Sequence, residues 1–297
     1  MKIFFKRSLL FLLPLLLFVG LVALADPYNY FRPSSFIPYE VKHNTSFKFH
    51  YPLWKCIEFN RNPQENIVLG DSRTDFLGTA KIDSVTGTKW FNFAYGGATF
   101  REITETFWYA DTRTKLKNVY IGLNFNLMNA YKRMDRVAEA KSIMEEPLLY
   151  PFNKTVVKAF FYNVYSVVTG TDPKIGAPEM SPDEFWKFQL DKSAENYYAS
   201  FLFNEDGMEE LRHIALRCDE HKIKLVFFIP PTHTDLQKRI DDFGLRTASD
   251  RWKEELAKVA PVIDMDVPND FTSDRENFKD PYHLKDPTPV IQKVWAK

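Results

Sequence analysis

The stretch Ile67-Val68-Leu69-Gly70-Asp71-Ser72-Arg73 constrains the fold more than any other part of the chain. An aliphatic, β-branched run reads as a strand buried on both faces, and its abrupt end at Gly70 marks a sharp turn that delivers a serine to the rim of a sheet. The residues after it, Thr74 to Leu77, suit the start of a helix whose free N–H groups face the serine oxygen. Such a placement is one geometry for an activated nucleophile. A Gly-Asp-Ser turn with an Asp cap is also a common solvated turn, so the remaining sequence has to decide between the two.

The alternation around this stretch is that of a parallel α/β sheet. Lys89 to Ala98 reads as a second strand ending in the paired glycines Gly96 and Gly97, which let a backbone N–H approach a ligand closely. A helix is predicted from about Phe100 to Lys115, then a third strand at Asn118 to Phe125, again ending in Gly and Asn. After an interruption the pattern resumes with a helix at Glu205–Lys222, a strand at Lys224–Pro231, a helix at Asp250–Lys258 and a short strand at Val259–Asp266. Five strands alternating with helices predict a three-layer, doubly wound α/β fold with a mainly parallel sheet. In such sheets ligands bind at the carboxyl ends of the strands, where the small and polar residues converge.

Three boundaries follow. Lys2, Lys6 and Arg7 precede an uncharged, Leu- and Phe-rich run from Ser8 to Ala25. It reads as a single N-terminal membrane anchor over residues 1–25, or as a secretion signal cut after Ala23-Leu24-Ala25, with the rest of the chain extracytoplasmic in either case. Residues 26–63 carry prolines and aromatics with little periodicity, as an extended arm would. The domain proper is expected at 64–297, with a helical cap inserted at about 126–204. The apolar spacing of Val156, Val157, Phe160, Phe161 and Val164 there suits packing better than a membrane surface.

Composition excludes some functions. With 39 Lys and Arg against 39 Asp and Glu, no global field draws nucleic acid, so recognition of charge must be local. The aromatic content of 16% fills cores and can also line a cleft for sugars or acyl chains. Cys56 and Cys218 are too few for a disulfide scaffold or a zinc site and are expected free and buried. No metal-ligand spacing and no phosphate loop is present, and no cofactor is expected.

The chemistry lies in Asp280-Pro281-Tyr282-His283 near the C-terminus. A carboxylate three residues from a histidine can hold the imidazole in one tautomer, and His283 lying over the Ser72 turn can take and return its proton. The backbone N–H groups of Ser72 and Gly97 and the amide of Asn124 are candidate oxyanion donors at three strand ends. Arg73 and His233 are weaker candidates for substrate contact, since an Arg after a strand end pairs more often with a local Asp and a loop His is more often solvated. His213 and His221 fall on a predicted helix as surface residues.

In four ordered blocks, Gly70-Asp71-Ser72, the glycine after Asn92, Gly122-Leu123-Asn124 and Asp280-Pro281-Tyr282-His283, the chain resembles the SGNH (GDSL-like) hydrolase superfamily over most of its length after residue 60. The resemblance implies a flavodoxin-like sheet, Ser72 as nucleophile, Asp280 and His283 as its triad partners, and Gly97 and Asn124 as oxyanion donors. It departs from the family where Phe125 replaces the acid that usually follows Asn124. With the N-terminal run, the chain is similar to membrane-anchored members that act on acyl groups of surface polysaccharides and teichoic acids. Their partners include a membrane-bound O-acyltransferase. An esterase acting on an acylated carbohydrate, an O-acyltransferase with the same triad, and a non-catalytic polysaccharide-binding or docking module of an export complex are the three functions in view. The complete triad argues against the last.

Overall fold

A computed structural model describes residues 2–32, 36–173 and 180–296, with side chains from Phe11 onward. Its centre is a five-stranded sheet of β1 (Asn66–Leu69), β2 (Phe91–Asn92), β3 (Asn118–Gly122), β4 (Lys224–Ile229) and β5 (Val262–Asp264), in the order β2-β1-β3-β4-β5 with every pair parallel. This is the predicted doubly wound α/β fold, and its strand order reverses direction between β1 and β3, the switch point at which such sheets open a crevice.

The pleat accounts for the layers. Val68, Tyr120, Val226 and Phe228 share a core cluster with Ile82, Val290, Ile291 and Trp295, contributed by the helices Thr79–Thr86 and Thr288–Trp295. The alternate residues Ile67, Leu69, Val119, Ile121 and Phe227 are equally buried. On their side the helices Phe100–Asp111 and Glu205–Glu220 pack against β1 and β4. Burial on both faces of β1, β3 and β4 explains why these strands read as unbroken apolar runs, while the edge strands β2 and β5 are only half-buried.

Two glycines set how closely the switch point closes. Gly70 has φ +156°, and a Cβ built on it falls 2.4 Å from Thr74 Oγ1. A Cβ on Gly122, at the end of β3, falls 2.1 Å from the same oxygen and 2.9 Å from the Phe228 ring. Thr74 therefore fills the space that side chains at both strand ends would need, and the chain can turn directly into the one-turn helix Ser72–Asp75. That helix is shorter than the sequence suggests. Its C-terminal carbonyls are held by Asn92, whose Nδ2 donates to those of Thr74 at 3.0 Å and Asp75 at 3.2 Å, and also to the carbonyl of Leu77 just beyond the helix.

The chain divides into two compact units: residues 62–135 with 179–297, which hold the sheet, and residues 1–61 with 136–178. The second unit is helical, built from Lys2–Ala25, Tyr51–Arg61, Arg136–Glu145 and Lys154–Thr169. Its turn after Ala25 is organised by Asp26, whose carboxylate accepts the N–H groups of Tyr30, Phe31 and Arg32 and the Tyr150 hydroxyl. The buried Lys42 ammonium donates to the Asp26 carbonyl and to Asn29 at 2.7 Å.

Two expectations are corrected here. The stretch at 26–63 is not an extended arm: Tyr51–Arg61 is a helix burying Leu53, Trp54, Ile57 and Phe59. Pro52, which read as a loop signal, sits in the first turn, where a missing N–H costs nothing. Nor is a single N-terminal membrane span seen, because no helix among the described residues is long and apolar enough to cross a membrane. The uncharged run forms most of the helix Lys2–Ala25. Its last turns are used inside the protein, where Val22 and Ala25 are fully buried and Phe18 packs on Phe160 and Phe161.

The expected insertion at 126–204 is helical, but its residues 136–178 belong to the second unit and its remainder to the sheet unit. The parts of the expected arm and insertion at 33–35 and 174–179 lie outside the described residues. Cys56 and Cys218 are both free and buried, and burial pushes the Cys218 thiol up to about 12.

The packing at Thr74 is testable. Gly122→Ala should lower stability by about 1–3 kcal/mol, the usual cost of overfilling a packed site. Adding Thr74→Ala should recover part of that loss, since only the Phe228 contact then remains. Urea unfolding of the four proteins of this cycle measures both effects, and an equal loss in either background would contradict the account.

Candidate active site

The sheet unit brings the two ends of the motif set together. Ser72 Oγ lies 2.8 Å from His283 Nε2 although 211 residues separate them, and His283 Nδ1 lies 2.8 and 2.9 Å from the two oxygens of Asp280. A carboxylate only accepts, so Nδ1 carries the proton directed at Asp280 and Nε2 is left to accept from the serine hydroxyl. Asp280 is buried, while His283 is about a quarter exposed, its side chain at 27%.

A hairpin sets this spacing. Strands β6 (Phe278–Asp280) and β7 (His283–Leu284) pair antiparallel, with Asp280 opposite His283 and Pro281-Tyr282 forming the turn. Asp280 Oδ1 also accepts the Tyr282 N–H at 2.9 Å, which fixes the carboxylate. The hairpin is pinned from outside by the His233 N–H, which donates to the Pro281 carbonyl at 2.9 Å.

The predicted oxyanion donors differ in their surroundings. The N–H groups of Ser72 and Gly97 are engaged by no hydrogen bond among the described residues. Gly97 is exposed at φ +63°, a conformation that favours glycine. Helix Phe100–Asp111 begins immediately after, fixed by a capping box between Thr99 and Glu102. Asn124 is buried, and its Nδ2 donates to Asp71 Oδ2 at 3.2 Å. Asp71 thus orients the Asn124 amide, while the next residue, Phe125, stacks on Phe201.

Arg73 and His233 are not available for substrate contact. The Arg73 guanidinium is buried, donates from Nε and a terminal nitrogen to Asp71 at 3.1 and 2.6 Å, donates to Asn126 Oδ1 at 2.6 Å, and lies over the Tyr282 ring. Burial works against its charge, but Asp71 more than offsets this and holds its pKa above the ordinary arginine value. His233 is buried between Trp186 and Phe278 as the N-cap of helix Thr234–Asp242. Burial likewise raises the Tyr282 and Tyr198 hydroxyls.

Sequence reasoning missed Asn126 and Tyr197. Asn126 lies in the one-turn 3-10 helix Phe125–Met128 and carries no sequence signal of its place beside Arg73, and the Tyr197 ring lies 6.1 Å from that of Tyr282. Asn92 served only as a marker for counting to Gly97, with no sign that its side chain ties down the Ser72 helix.

No family model and no curated protein matches the chain. Among solved structures, one described as "a putative platelet activating factor from Streptococcus pneumonia" is similar at a TM-score of 0.40 and 9% identity, over 83% of this chain and 88% of that one. A likeness of that degree carries no argument about chemistry. Fold and geometry define the class by themselves: a doubly wound α/β protein with a hydrogen-bonded Ser72–His283–Asp280 chain at the carboxyl rim of its sheet.

Arg73→Met should cost about 3–5 kcal/mol, because it leaves Asp71 buried without its partner charge. Denaturant unfolding checks this, and a loss under about 1 kcal/mol would contradict the structural role of Arg73.

Proposed function

We propose that the chain is a serine esterase of the SGNH type that removes acyl groups, acetyl foremost, from a carbohydrate through a Ser72 acyl-enzyme. The observation that carries this reading is the unbroken hydrogen-bonded order of hydroxyl, imidazole and carboxylate. The four motif blocks support it in the same direction.

In the proposed cycle Ser72 Oγ attacks the ester carbonyl carbon while its proton passes to His283 Nε2. Asp280 holds the Nδ1–H and stabilises the imidazolium. The oxyanion is assigned to the Ser72 and Gly97 N–H groups, with Asn124 Nδ2 as third donor. His283 then protonates the departing sugar oxygen, and the carbonyl re-forms on Ser72. Water enters, gives its proton to the same nitrogen and adds to the acyl carbon; release of the carboxylic acid returns the proton to Ser72. A sugar hydroxyl in place of that water converts the cycle to O-acyl transfer, with identical roles for every residue.

Turnover of 4-nitrophenyl acetate tests the reading. Ser72→Ala and His283→Ala should each lower kcat/KM by roughly a thousandfold or more. Asn124→Ala should lower kcat by about a hundredfold or more with little change in KM, as loss of an oxyanion donor does. Unchanged turnover in the Ser72 variant would refute the proposal. Whether the acyl group goes to water or to sugar is read by incubating the protein with an acyl donor and a glycan, and comparing free acid with glycan-linked acyl groups.

A further inference from the structure

Within the sheet unit, a cavity of about 210 Å³ is lined by Gly97 together with, among others, Asn126, Tyr131, Lys132, Arg133 and Tyr197. We infer that it receives an oxyanion-bearing group, a carboxylate or a phosphate, on the alcohol part of the ester; this rests on the esterase reading above and adds the substrate class.

The cavity is joined to the reacting groups at three points. Gly97 carries one of the proposed oxyanion donors. Asn126 accepts from the guanidinium of Arg73, the neighbour of Ser72, and Tyr197 lies against Tyr282, the neighbour of His283. A carbonyl oxygen held by the Gly97 N–H would therefore sit at the edge of this space, with the alcohol part of the ester able to enter it. The volume is below the roughly 300–1,000 Å³ of sites for drug-sized ligands, which fits one sugar unit and its charged group rather than a length of polymer.

The charge of the ligand follows from what surrounds the two cations. The Lys132 ammonium, on the exposed side of the residue, donates to a neutral oxygen, Asn196 Oδ1, at 2.8 Å and lies over the Tyr197 ring at 5.3 Å. Arg133 donates from Nε to the Ala130 carbonyl at 3.3 Å. Neither forms an ion pair among the described residues. Nearby cations in this unit are neutralised: Arg101 by Asp135 and Arg73 by Asp71. In a chain of zero net charge, two adjacent unneutralised cations at the mouth of a cavity make a local positive potential. The guanidinium fork of Arg133 suits either oxyanion. The exposed face of Tyr131 beside Tyr197 offers flat apolar surface for the sugar ring that carries it.

Equilibrium binding tests this without turnover. Titration of the full chain with glucuronate, glucose 6-phosphate and glucose, followed by ligand-observed NMR, should show one or both anions binding at least about tenfold tighter than the neutral sugar, with the gap narrowing as salt is raised. Which anion binds tells carboxylate from phosphate. The Lys132→Gln/Arg133→Gln protein should lose the preference while melting within a few degrees of the parent. Equal binding of all three sugars, or a preference that survives the double substitution, would overturn the inference. Absence of ester hydrolysis alongside a charge preference would instead count against the esterase reading alone.

Discussion

Everything at the rim depends on how closely β1 and β3 approach each other where the strand order reverses. No side chain fits at Gly70 or Gly122, because Thr74 occupies the space that either would take. That contact lets the chain leave β1 in one turn of helix rather than in a loop, and it fixes where the Ser72 hydroxyl can be. A looser junction would leave the serine free to rotate away from an imidazole contributed by the far end of the chain.

A buried charge network supports this junction from beneath. Asp71 caps the Ser72 helix, pairs with Arg73 and takes an N–H of Asn124, while Arg73 continues to Asn126. Each member satisfies another, so the cost of burying two charges is offset by hydrogen bonds that also orient the two asparagines. The hairpin carrying Asp280 and His283 closes over the same place, pinned through His233 and the Tyr282–Arg73 contact. Residues that the sequence suggested for substrate binding thus hold the site together.

How much of this could be read in advance depends on range. The sheet was legible because strands buried on both faces carry unbroken apolar runs, and the Asp280–His283 pair because its spacing is local. That Ser72 meets His283 was reachable only through the ordered motifs, since nothing in the chain between them, a separation of 211 positions, encodes the contact directly. Arg73 was ambiguous because its burial depends on Asn126, Tyr197 and Tyr282, brought in from distant segments. The helix at Tyr51–Arg61 was obscured by Pro52, and in the N-terminal run Val22 and Ala25 are packed while Phe11 to Leu17 are exposed, a division its uniform composition does not encode. In these cases the local signal was consistent with two environments, and only tertiary packing separates them.

The central claim is that His283 activates the Ser72 hydroxyl, and covalent capture by a fluorophosphonate followed by peptide mass spectrometry tests it most directly. The account predicts modification of Ser72 alone, abolished in His283→Ala although the serine is still present. Modification at other serines only, or of Ser72 at the same rate without the imidazole, would contradict it.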